Sequence, residues 1–290
     1  MNSKTLIVIL LSVTGLMFEL PAQTPKVDFP APSPACTLKQ RVGLTDIEIS
    51  YSRPSIKGRV VFGGIVPYGQ VWRTGANAST KISFSTDVKL NGLSIPAGKY
   101  SLYTIPGESS WTVIISKDLA GNIFSYSPTN DLLRFQVTPV TLTDSSIETF
   151  TIEFNHIRDE SALIDLIWDR TVVPLHLDVE VTGKLVPQIE AAMAAPGKKS
   201  AGFYFQAATF YYNHDLDLKQ ALDWANAGLA DKPGIAFELL HVKAQILAKQ
   251  GDKEGAIAAA KESSELAVKA EGTNNSFVKM NDDLISSLQH

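Results

Sequence analysis

The feature that most constrains this chain is a change of hydrophobic period near Gly183. From about Leu38 to Val181 apolar residues recur at every second position, and beyond Gly183 they recur every 3.6 residues in an Ala-, Leu-, Lys- and Glu-rich background. A strand turns successive side chains to opposite faces, whereas a helix returns to one face every third or fourth residue. The first stretch therefore reads as short, half-buried strands. Ile47, Ile49 and Tyr51 share one face, as do Ile82 and Phe84, Val88 and Leu90, Trp111, Val113 and Ile115, Leu133, Phe135 and Val137, Phe150, Ile152 and Phe154, and Ala162, Ile164, Leu166 and Trp168. Asn91-Gly92, Pro96-Ala97-Gly98, Pro106-Gly107, Gly121-Asn122 and Pro128 punctuate them, Asn91-Gly92 being the strongest hairpin signal. The pattern predicts an α+β multidomain protein: an antiparallel β-sandwich over 38–183, then an all-α domain over 184–290.

The helical half contains an internal repeat with a period of 35 residues. Asp217-Leu218-Lys219-Gln220-Ala221-Leu222 aligns with Asp252-Lys253-Glu254-Gly255-Ala256-Ile257, Phe205 and Tyr212 with Leu240 and Leu247, and Ala225 with Ala260. This resembles the tetratricopeptide repeat, with Phe205 at its aromatic position, Ala221 and Ala225 at close-packing positions and Pro233 at its terminal proline. The second copy has Val268 where Pro233 would recur, so its last helix runs on, and 275–289 reads as a capping helix. Small residues at the aligned alanines allow paired helices to approach closely. Two copies are fewer than the three or so that usually stand alone, so the array is expected to lean on the sandwich.

Lys4 followed by the apolar run Leu6 to Phe18 reads as a secretory signal peptide over 1–22. Thirteen residues at about 1.5 Å each fall short of a hydrocarbon core of about 30 Å, so the run is not a membrane span, and an exported periplasmic or cell-surface protein is expected rather than an integral membrane one. Residues 23–37 form a proline-rich linker, with prolines at 25, 30, 32 and 34. The single Cys36 rules out an internal disulfide framework and is read as buried and inert. A net charge of -4 argues against a nucleic-acid partner, whose phosphates demand cationic surface. The balance is uneven: nine Lys/Arg against three Asp/Glu over 39–99, and four against twelve over 100–183.

The chain lacks a Gly-x-Ser-x-Gly elbow, a His-Glu-x-x-His helix and a Gly-rich phosphate loop, and no cofactor is expected. His156 with Asp159 and Glu160 makes a weak metal or acid–base cluster that a polar hairpin tip explains equally well. The informative stretch is 51–77, where Gly and Pro fix turns between strands. Arg53, Lys57, Arg59, Tyr68, Trp72, Arg73 and Asn77 are the candidate ligand-binding residues. Guanidinium forks suit carboxylates and phosphates, aromatic rings offer flat apolar faces, and the Asn amide is bidentate. The same residues would serve as well to brace a long loop through backbone carbonyls.

Tyr51-Ser52-Arg53-Pro54, Lys57-Gly58-Arg59, Val66-Pro67-Tyr68-Gly69 and Val71-Trp72-Arg73-Thr74-Gly75-Ala76-Asn77 resemble the signature of an exported bacterial family, domain-of-unknown-function family 2911. Pro96-Ala97-Gly98-Lys99-Tyr100 and Trp111-Thr112-Val113-Ile114 extend the resemblance, which covers roughly Lys39 to Pro174. It implies a secreted β-rich domain, sometimes followed by helical repeats, and no particular activity. The expected function is a binding or scaffold protein, with a polar or anionic small molecule at the sandwich and a protein or peptide partner at the helical repeats. The alternative is an envelope-associated hydrolase using Asp46 and Glu48, which share a strand face, with Arg73 as anion clamp.

Overall fold

A computed structural model describes residues 28–120, 123–230 and 234–289. The expected signal peptide, the Gly121-Asn122 turn and Pro233 lie outside the described residues. Twelve strands come first: β1 (Ala35–Val42), β2 (Thr45–Ser52), β3 (Thr80–Phe84), β4 (Val88–Leu90), β5 (Leu93–Ile95), β6 (Gly98–Ile105), β7 (Trp111–Ser116), β8 (Asp131–Val137), β9 (Val140–Thr141), β10 (Ile147–Asn155), β11 (Ser161–Asp169) and β12 (Thr171–Val179). Six helices follow: α1 (Thr182–Ala194), α2 (Ala201–Asn213), α3 (Leu218–Leu229), α4 (Ala236–Lys249), α5 (Lys253–Glu271) and α6 (Ser276–Gln289). The change of period at Gly183 thus marks a change of secondary structure, with α1 opening one residue before it.

The strands form two antiparallel sheets in the orders β1-β2-β3-β6-β7-β8 and β10-β11-β12-β4-β5, with β9 beside β12. Alternation places Ile47, Ile49, Ile82, Leu102, Val113 and Ile115 of the first sheet, and Ile152, Ile164, Leu166, Val173 and Leu175 of the second, in one shared core. The β4–β5 hairpin turns on Asn91 and Gly92, both at positive φ (48° and 79°), as a two-residue turn requires. β1 starts at Ala35, so the last three residues of the expected 23–37 linker belong to the sheet, and Cys36 lies inside the strand, partly buried against the core.

Helix starts follow their caps. Ser200 accepts from Phe203 N–H, Asp217 from Lys219 and Gln220, and Asp252 from Gly255. The N-terminus of α1 is held by the sandwich itself: Glu160, on the β10–β11 turn, accepts N–H bonds from Val181 at 3.1 Å and Thr182 at 2.6 Å. Burial works to raise the Glu160 carboxyl, but these bonds and the nearby His214 outweigh it and hold the group below its ordinary value. His214, at the end of α2, lies 3.2 Å from the Thr182 hydroxyl and 3.4 Å from Asp159. Phe210 of α2 and Leu185 of α1 pack on the sandwich core, so the helical part does lean on the strands. The imidazole beside Asp159 and Glu160 is therefore His214; His156 is exposed at a turn with φ 49°. Among the described residues, no helix is long and apolar enough to cross a membrane, and no cluster of His, Cys, Asp and Glu could hold a metal ion.

Candidate functional site

The segment after β2 leaves its own sheet. Phe150 N–H donates to Pro54 O and Ile56 N–H to Glu148 O, so residues 53–56 cross over to pair with β10 of the opposite sheet. Farther along, Trp72 and Thr104 exchange both backbone bonds, at 2.7 and 2.9 Å, which returns the chain to β6. The loop thus laces the two sheets together, and its side chains divide by direction.

Trp72 points inward. Its indole is 9% exposed, donates to Gly75 O at 3.0 Å and stacks on Trp168 at 5.9 Å with an interplanar angle of 19°. Phe62 of the same loop, Trp111 of β7 and Phe150 of β10 close round it at ring distances of 5.1–6.3 Å, with Phe62 and Trp111 themselves 4.8 Å apart. Aromatic groups from both sheets and from the loop therefore form one cluster, with mainly edge-to-face contacts that suit the ring quadrupoles. Arg53 spans the same seam, Nε donating to Phe150 O at 3.0 Å and Nη2 to Thr151 Oγ1 at 2.7 Å. The Tyr51 hydroxyl accepts from Ile152 N–H at 2.9 Å, and burial raises its phenol.

The other arginines also meet main chain. Arg59 donates to Ile56 O and Ser55 O, closing its own turn, and Arg73 donates to Asn77 O at 3.2 Å. Asn77 in turn donates to Ser33 O and Ser52 Oγ, fixing the segment that enters β1. Three non-glycine residues here hold left-handed backbone, Lys57 (φ 48°), Thr74 (φ 53°) and Asn77 (φ 59°). Gly75, at φ 149°, lies so near β2 that a Cβ there would sit 2.9 Å from Ser52 O.

What remains outward is the tip of the loop. Lys57 and Arg59 are exposed, followed by Val60 (71%), Ile65 (40%) and Tyr68 (41%), whose ring lies against Gly63. Of the seven sequence candidates, Lys57, Arg59, Tyr68 and Asn77 reach the surface, Arg53 and Arg73 are half-buried, and Trp72 is core. Val60 and Ile65 were missed because isolated apolar residues in a loop carry no periodicity.

Asp46 and Glu48 do share a face of β2, but each is paired across the strands, Asp46 with Arg41 at 3.0 Å and Glu48 with Lys39 at 3.1 Å. They line an open groove of about 620 Å³ with Ser83 and Gly98, and Arg73 is not part of it. A second polar cluster covers the outer side of β6 to β8. Tyr126 donates to Asp131 at 2.8 Å, and Arg134 donates to both. Burial and the Asp131 carboxylate push the Tyr126 phenol up to about 12, with Arg134 opposing.

Fold and seam together define a two-sheet β-sandwich cross-laced by an aromatic and guanidinium loop and followed by packed helix pairs. The sequence model of the family described as protein of unknown function (DUF2911) matches residues 33–177, half of the chain, and the chain belongs to that family. No curated protein and no solved structure matches it.

Proposed function

We propose that this chain is an exported, non-catalytic binding protein whose sandwich engages a polar or anionic ligand through the exposed loop tip and whose helices engage a protein or peptide. The supporting observation is the outward group at the tip: cationic Lys57 and Arg59 beside exposed Val60, Ile65 and Tyr68, on a loop anchored at both ends to opposite sheets. A rigid anchor lowers the ordering cost of binding, and exposed apolar groups beside cations suit a partner with anionic and flat apolar parts. For the helices, the support is that Ala221, Ala225, Ala256 and Ala260, equivalent under the 35-residue repeat, are all fully buried, as tetratricopeptide-like stacking requires. The hydrolase reading draws less support, because Asp46 and Glu48 are each neutralised by a cation from β1.

The test is a thermal-shift screen of residues 23–290 against sugars, nucleotides and carboxylates, run beside a pull-down from envelope extract. The proposal expects a ligand whose stabilisation is lost in Lys57→Glu and Tyr68→Ala while the unliganded melting point holds. A stabilising ligand indifferent to both substitutions would refute the tip as the site; no ligand and no partner would refute the proposal as a whole.

A further inference from the structure

Between α4, α5 and α6 a chain of hydrogen bonds runs in one direction only. The Phe237 carbonyl can only accept, and the Ser263 hydroxyl donates to it at 2.7 Å. Ser263 Oγ then accepts from the Asn281 amide nitrogen at 2.9 Å, which turns the Asn281 oxygen to His241 Nδ1 at 2.6 Å. An amide oxygen donates nothing, so Nδ1 carries the proton and Nε2 of the neutral ring is a bare lone pair. That atom is buried and has no hydrogen-bond partner. The ring is 5% exposed, and both Ser263 and Asn281 are fully buried. Burial pushes the imidazole below its ordinary value, against the opposing pull of Asn281.

No charged group bonds to the free ring nitrogen. Phe277 of α6 packs edge-on to the ring at 5.3 Å. Glu262 and Glu265 of α5 and Asp282 of α6 are exposed, and Glu238 of α4 is half-buried, its own carboxyl pushed up by burial and by Glu271. α2 carries no charged residue, and Lys219 and Asp223 of α3 are exposed. The hold on α6 is otherwise light: Asn281 is its one fully buried residue, helped by Phe277 against Phe237 and by Leu284 and Ile285 against the alanines of α4 and α5.

We infer that His241 makes the seat of α6 acid-sensitive: a proton on Nε2 places a second donor in a buried site where no side chain or main-chain group accepts it, and α6 undocks from α4 and α5. The folded value lies below the ordinary one, so docking is at full strength above about 6.5 and weakens as pH falls from there through the folded value, by up to about tenfold per pH unit between the two. Undocking bares Phe237, Ala244, Ala259 and Ala260.

Amide hydrogen exchange on the full chain, corrected for intrinsic rates and compared between about pH 8 and about pH 5, reads the effect directly, since a histidine changes charge in that window. Protection of 276–289 is expected to fall several-fold relative to β11, and His241→Asn, whose amide N–H takes the place of Nδ1 as donor to Asn281 but does not titrate, is expected to abolish the fall. Protection of α6 that is flat with pH, or an equal fall in His241→Asn, overturns the inference. Should that variant not fold, the ring nitrogen shifts of the unaltered chain decide. A neutral ring with its proton on Nδ1 at pH 7 supports the inference, and a proton on Nε2 in the docked state overturns it.

Discussion

Replacing Trp72 with alanine separates the two roles open to the signature loop. If the indole is structural, its loss empties the space between the sheets. A tryptophan of roughly 200 Å², buried at about 25 cal/mol per Å², is worth about 5 kcal/mol of transfer free energy. Trp72 is 9% exposed and touches Phe62, Trp111, Phe150 and Trp168, so nearly all of that area is withdrawn from water. The lost indole bond leaves Gly75 O without its donor, a further contribution of about 1 kcal/mol. Relaxation of the cavity lowers the sum, and large-to-small aromatic substitutions commonly cost about 3–5 kcal/mol. That is a large fraction of a domain stability of about 5–15 kcal/mol. Urea titration followed by far-ultraviolet circular dichroism should show a marked drop in midpoint for Trp72→Ala. Trp72→Phe should lie between, at about 1–2 kcal/mol, chiefly from the missing donor. Tyr68→Ala, at a residue 41% exposed, should cost less than about 1 kcal/mol. A Trp72→Ala protein that keeps the wild-type unfolding free energy within about 0.5 kcal/mol would refute the reasoning, since the indole would then have to face solvent.

Arg53→Met removes the donors to Phe150 O and Thr151 Oγ1 and should cost about 1–3 kcal/mol in the same titration, with Arg53→Lys failing to restore it because an ammonium cannot span both acceptors. Gly43 holds φ 53°, and a Cβ there would overlap Asp159 O and Val181 Cγ2 at the junction of sandwich and helices. Gly43→Ala should therefore lower the melting temperature well beyond Gly92→Ala, whose Cβ meets open space and adds only backbone strain of about 1 kcal/mol. Tyr126 should be among the last phenols to ionise in a spectrophotometric titration, near the value of about 12 set by burial and Asp131. Because this folded value is raised, its contribution to stability is intact below about 10 and lost as pH climbs towards 12, and Tyr126→Phe should abolish that loss.

Residues that obey a period were legible in the sequence, and residues that act through direction or distance were not. Ile47, Ile49, Tyr51 and the β11 series lie on the core face because a one-sided sheet forces alternation. β6 and β7 are buried on both faces, as fully buried Tyr103 and Ile114 show, so alternation there marked the strands without saying which face was covered. Trp72 and Tyr68 have similar chemistry four positions apart in a loop, and nothing in their spacing says that one turns in and the other out. His214 meets Asp159 and Glu160 across more than fifty residues, a proximity that only the docking of α2 on the β10–β11 turn creates. His241 was detectable in principle: an imidazole within Leu239-Leu240-His241-Val242 interrupts an apolar run, and a buried polar group calls for a partner.

The motifs that place this chain in its family are largely motifs of internal bracing. Tyr51 and Arg53 tie β2 to β10, Trp72 fills the space between the sheets, Thr74 bonds to Thr104, and Trp111 and Ile114 are fully covered. Such residues must stay mutually compatible for the loop to cross between sheets at all, because each satisfies a carbonyl or fills a volume that no neighbour can. Of the groups that do face solvent, Arg59 still closes its own turn on Ser55 O and Ile56 O, whereas the side chains of Lys57, Val60, Ile65 and Tyr68 carry no such obligation and are free to differ at little cost to the core. On the binding reading proposed above, ligand preference is set at the exposed tip, apart from the clamp that closes the sandwich. Exchanging only the outward positions 57, 60, 65 and 68 between two members, with the inward Val61, Phe62 and Val66 kept, should on that reading move binding while leaving the unfolding midpoint in place, and an exchange that unfolds the recipient would show that the tip belongs to the clamp after all.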